Sequence, residues 1–115
     1  MSDNITISTG SIDKAHNILD IIFSAAQKKY GGKGFKAAVF SLDTLSDVEY
    51  NTLLDEVYVS SIDILKKKAT EIGADAVIDC KFDIEQLIIH EEGLMTSGDA
   101  LRLQVFVTGT AVKYI

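Results

Sequence analysis

Apolar and polar positions change period several times along this chain. Residues 4–8, NITIS, are short and β-branched enough to form one brief strand. From His16 to Ala26, HNILDIIFSAA packs Ile18, Leu19, Ile21, Ile22 and Phe23 so densely that period alone admits a buried strand or a helix. The β-branched isoleucines and the YGGKG break that follows favour the strand. Phe35 to Leu42, FKAAVFSL, fits a strand or a helical turn equally well.

The clearest helical period begins after Ser46. Tyr50, Leu54, Val57, Tyr58, Ile62, Leu65, Ala69 and Ile72, with small Ser61 among them, fall within roughly 120–140° of arc, one broad apolar face. Ser46 or Thr44 can cap the helix, and Asp47 and Glu49 place negative charge where the helix dipole favours it. Gly73 stands where a left-handed residue is expected to end it.

Beyond Asp75 the period falls to two. Ala76, Ile78, Cys80, Phe82 and Ile84 are expected on one face of a strand, and Asp79, Lys81, Asp83 and Glu85 on the other. In the last strand Leu101, Leu103, Val105, Val107, Gly109 and Ala111 form one face. Arg102, Gln104, Phe106, Thr108, Thr110, Val112 and Tyr114 form the other. The intervening HEEGLMTSGDA reads as the turn of an antiparallel hairpin. The pattern therefore predicts an α+β fold, one long helix packed on an antiparallel sheet of three strands.

At 115 residues, 47% of them hydrophobic, the chain has room for a single domain, 1–115, with one modest core. A net charge of −6 opposes the field of a nucleic-acid backbone, so no nucleic-acid partner is expected. The cluster Lys66, Lys67 and Lys68 complements the end of the helix dipole. MSDNITISTG lacks the basic and apolar regions of a signal peptide, and no apolar run can span a bilayer. A single cysteine cannot close an internal disulfide. These features predict a cytoplasmic protein without a membrane partner.

Candidate chemistry is sparse. Cys80 falls on the apolar face of its strand, where a thiol is a small hydrophobe before it is a nucleophile or ligand. The histidines are His16 and His90, and no pair of Cys or His residues has zinc-site spacing. His90 sits beside Glu91 and Glu92 in what reads as a solvated polar cluster. Carboxylates at alternate strand positions such as Asp83 and Glu85 stand about 7 Å apart, too far to share a proton. YGGKGFK lacks the phosphate-cradling order of a P-loop, and no catalytic constellation can be argued.

Two motifs carry a resemblance. KKKATEIGADAVIDCKFD, followed by LQVFVTGTAVKY, resembles the YbjQ-like family, whose members are named as heavy-metal-binding domains; TGSIDKAHNILDIIFS resembles that family's first long strand. Residues from about Gly31 to Asp47 depart from the family pattern. The resemblance implies a dodecin-like β-α-β-β subunit, assembly as a ring-shaped homopentamer, and a soft or transition metal ion as possible cofactor. Cys80 and His90 are the candidate metal ligands, each supplied once per subunit around a ring axis. The expected function is non-enzymatic binding of a heavy metal or small ligand; the alternative is an interaction scaffold without a ligand. Self-association is also expected because Phe106, Val112 and Tyr114 leave the second sheet face apolar, and Val48 and Val59 form a second apolar spot on the helix.

Overall fold

A computed structural model describes residues 5–31, 45–94 and 97–115. FKAAVFSL and the Thr44 cap fall outside them. The elements are strand β1 (Thr6–Ile7), strand β2 (His16–Gly31), helix α1 (Asp47–Glu71), strand β3 (Ala76–Glu91) and strand β4 (Gly98–Tyr114). The strands form one sheet in the order β1-β3-β4-β2. The sheet is mixed: β1 joins β3 in parallel, with Thr6 opposite Ala76 and Ile7 opposite Val77. An all-antiparallel sheet of three strands was the simpler expectation from the hairpin. Two residues of β1 are too few to show a period, so its pairing could not be read locally. The expected order of one long strand, one helix and two more strands is present.

Helix α1 begins as its residues dictate. The Ser46 hydroxyl accepts the Glu49 backbone N–H at 3.2 Å and donates to the Glu49 carboxylate at 3.1 Å, a reciprocal cap. At the other end Gly73 adopts φ +77°. Ala74 N–H reaches the Ala69 carbonyl at 2.9 Å and Gly73 N–H reaches Thr70 at 3.1 Å, the paired bonds of a Schellman stop. Val57, Ser61, Leu65 and Ala69 form its buried seam, whereas Ile72, expected there, is exposed just before the cap.

By internal contacts the chain divides into two compact units: Met1–Ala26, Val59–Asp83 and Val105–Ile115 in the first, Gln27–Tyr58 and Ile84–Gln104 in the second. In the first unit Leu65 and Ala69 of the helix pack with Ile22, Val77, Cys80, Val107 and Ala111. The Ser24 hydroxyl, buried with them, donates to the Ser61 carbonyl at 2.7 Å, so this core carries a polar tie in which the buried hydroxyl is satisfied. A second, smaller cluster in this unit joins Ala76, Ile78 and Val112, with Ile12 and Tyr114 packed against it.

The second cluster corrects two expectations. Val112 is fully buried within its own chain, so it does not belong to an open apolar face; the segment carrying Ile12 folds over it. Cys80 shares its face with Val77 and not with Ala76 and Ile78. Asp79 is the cause: its φ of 52° lies in the left-handed region, and this one residue breaks the two-residue alternation. The N-terminal segment follows the break, with Asp79 N–H bonded to Gly10 O at 3.0 Å and Cys80 N–H to Ser8 O at 3.0 Å.

In the second unit Ala100, Leu101 and Leu103 of β4 are buried. The same unit carries polar ties: Tyr50 Oη donates to Gln86 at 2.6 Å, Lys28 pairs with Glu56, Lys29 pairs with Glu91 at 2.7 Å, and Tyr30 Oη donates to Glu49 at 3.1 Å. Among the described residues no helix is long and apolar enough to cross a membrane.

Candidate functional site

Cys80 is enclosed. Only 4% of it is exposed, and its thiol points a weak bond at the Val77 carbonyl, 3.7 Å away. Burial pushes the thiol pKa up; the backbone bond from Ser8 opposes that rise, and the Asp79 charge adds to it. A neutral, inward thiol is a poor nucleophile and a poor ligand. Its close neighbour explains a glycine of the terminal motif. A methyl group built on Gly109 would lie 2.5 Å from Val77 Cγ1 and 2.8 Å from Cys80 Sγ. Gly109 therefore makes room for the side chains that the Asp79 break turns inward.

His90 is the opposite case, an exposed ring at the end of β3 in the second unit. Its Nδ1 lies 2.9 Å from Asp99 Oδ1 on β4, and its Nε2 lies 3.0 Å from Glu92 Oε1. Glu92 is itself held by the Ser97 hydroxyl at 2.9 Å. The Asp99 bond and then the Glu92 bond raise the His90 pKa, because both favour the doubly protonated ring. The Glu92 pKa is lowered, chiefly by Ser97 and then by His90. Glu91, expected in this cluster, pairs instead with Lys29.

These donors do not make a metal cage within one chain. The two carboxylates meet opposite nitrogens of the imidazole, so they do not converge on one point, and a ligating nitrogen would first have to lose its proton. Among the described residues no group of three or more His, Cys, Asp or Glu side chains could hold a metal ion. His16 is likewise turned to its own backbone, with Nδ1 2.7 Å from Lys14 O.

The outer surface of the first unit holds a feature that the sequence reading did not single out. Lys81, Phe82 and Asp83 of β3, with Phe106 and Thr108 of β4, line a half-open cavity of about 340 Å³. Alternation places these charges outward, but it gives no sign that a hollow forms between the strands.

Comparison with known proteins places this architecture. The chain is 27% identical over 88 residues to a UPF0145 protein of Archaeoglobus fulgidus, a match covering 76% of this chain and 82% of that protein. The fold is similar to the crystal structure of a protein of unknown function from Pediococcus pentosaceus, of the DUF74 family. That likeness has a TM-score of 0.64 at 18% identity and covers 96% of this chain and 98% of the other. The family described as "Putative heavy-metal-binding" matches residues 4–115, including the stretch from Gly31 to Asp47 that departs from the expected pattern. The chain belongs to the YbjQ family.

Proposed function

We propose that this chain is a non-enzymatic subunit that closes with copies of itself into a ring of five and binds a small ligand or a soft or transition metal ion. The observation that carries the reading is the apolar surface of β2. That strand stands at one end of the sheet order, yet Ile18, Ile21 and Phe23 are 69%, 73% and 62% exposed. Fully burying one such side chain stabilises by about 1.5–3 kcal/mol, and an apolar edge strand is a template for pairing. Phe23 already lies under Lys68, whose Nζ is 4.4 Å from its ring, but a neighbouring subunit gives Ile18 and Ile21 a partner, and a heterologous contact that closes on itself leaves no edge free. Val48 and Val59, both exposed, add to the apolar surface.

A metal in such an assembly would draw on one donor per subunit, because among the described residues no three donors of a single chain converge. His90 is the accessible candidate, and Cys80 would have to leave the core to serve. The competing reading, a scaffold without a ligand, is favoured by the same lack of convergence. Sedimentation equilibrium tests the assembly: a pentamer is expected, with Ile18→Asp and Ile21→Asp shifting it toward smaller species. A stable folded monomer at micromolar concentration would refute the ring. Native mass spectrometry with elemental analysis tests the ion, and a protein that neither retains nor takes up zinc, copper or nickel at micromolar levels has no metal role.

A further inference from the structure

The cavity on the outer surface of the first unit has the parts of a binding site. Its volume of about 340 Å³ falls at the lower end of the range for small-molecule pockets, roughly 300–1,000 Å³. One wall is the half-buried ring of Phe106, and Thr108 offers a hydroxyl beside it. Lys81 and Asp83 bring opposite charges to the same rim, and neither is paired with any described residue. Two residues apart on a strand, their Cα atoms stand about 7 Å from each other.

We infer that this cavity binds a small aromatic zwitterion, of the chemical class of a free aromatic amino acid. Its ring lies against Phe106, its carboxylate accepts from Lys81, its ammonium donates to Asp83, and Thr108 supplies a further polar contact. Charge-assisted bonds of about 2.8 Å at each end let an amino-acid headgroup fill the gap between the two side chains. A ring on Phe106 adds an offset or edge-to-face aromatic contact. A simple anion would meet repulsion from Asp83 and a simple cation repulsion from Lys81, so only a ligand carrying both charges satisfies the rim. This site rests on the small-ligand part of the proposed function and does not depend on a metal.

The protein contains no tryptophan, so the emission of L-tryptophan reports binding directly. Titration with L-tryptophan should saturate at sub-millimolar concentration, and tryptamine and indole-3-acetate, each lacking one charge, should bind about tenfold more weakly. Lys81→Ala should weaken L-tryptophan about tenfold while binding tryptamine more tightly, because the like charge that repels it is gone. Asp83→Ala should weaken L-tryptophan by a similar factor while binding indole-3-acetate more tightly, for the same reason. Both substitutions are at exposed positions, so they spare the core. No saturation with L-tryptophan at millimolar concentration, or equal binding by wild type and both variants, overturns the proposal. Sedimentation of the same samples separates the two readings. A ring that fails to bind sinks the site alone, and binding without a ring sinks the assembly alone.

Discussion

Strands β3 and β4 are neighbours in one sheet, and they treat alternation differently. Along β4, Leu101, Leu103, Val105, Val107, Gly109 and Ala111 are all buried and the intervening residues through Thr110 are not, an unbroken period of two. Along β3 the same rule fails at one residue. Ala76, Val77 and Ile78 are all buried, in two separate clusters, before Asp79 turns into the left-handed region and Cys80 comes to share a face with Val77. The difference teaches that a period of two reports the face of a side chain only while every residue stays extended. A single positive φ reassigns the residues on one side of it.

The contact that depends most on this difference is at Gly109. Gly109→Ala would force a methyl group against the buried Val77 and Cys80 side chains, which have little room to retreat. We expect a loss of about 3 kcal/mol, the upper range for overpacking a core, measured by denaturant unfolding. A change below half of that would mean that the Asp79 break relaxes and that β3 can return to simple alternation.

Cys80→Ser asks how far the residue after the break belongs to the core. The hydroxyl can still donate to Val77 O, so the expected loss is about 1 kcal/mol, the low end of the cost of burying a polar group. Thiol labelling of the native protein should be slow at neutral pH, because burial raises the thiol pKa. Rapid labelling would place Cys80 outside the core.

Asp79→Gly sharpens the comparison in the opposite sense. A glycine adopts φ 52° without steric cost, so the variant should be more stable by up to about 1 kcal/mol, less the entropy that glycine adds to the unfolded chain. A clear loss would show that the Asp79 carboxylate has a role of its own at the turn.

The smallest effect lies at the far end of the same two strands, where His90 of β3 meets Asp99 of β4. His90 has a raised folded pKa, so its contribution is fully present below the ordinary value of 6.5 and is lost as pH rises through the folded value. Glu92, with a lowered pKa, contributes above its ordinary 4.5 and loses that contribution as pH falls through its folded value. An NMR titration of the His90 ring should give a midpoint above 6.5, and Asp99→Asn should bring it down. A midpoint at or below 6.5 in wild type would show that the strand ends are not joined there.

Much of this architecture was legible because the responsible signals are local. Ser46, Glu49 and Gly73 bound the helix through hydrogen bonds within a few residues, and the apolar spacing from Val57 to Ala69 placed its seam. The alternation of β4 was equally direct. What escaped depends on distant chain: the parallel pairing of β1, the cover that Ile12 gives Val112, and the reversal at Asp79. The candidate ligands divide the same way. The burial of Cys80 was expected from the apolar residues around it, although Ala76 and Ile78 lie in a separate cluster, whereas the partners of His90 include Asp99 across the hairpin. The cavity beside Phe106 needs two strands at once, and no single stretch of sequence encodes it.

The parallel pairing of β1 also bears on the order of events during synthesis. The β3–β4 hairpin closes over a short connection, but Thr6 must wait for Ala76, across most of the chain, before it has a partner. Closing so large a loop costs entropy that a two-residue strand can scarcely offset, so β1 is expected to dock after the helix and hairpin have formed. Until then the first half of β3 is an open edge in the nascent chain, and its neighbour Val112 lacks the cover of Ile12. A truncated chain without its first residues would thus be prone to aggregate, even though those residues contribute only a small strand to the finished fold.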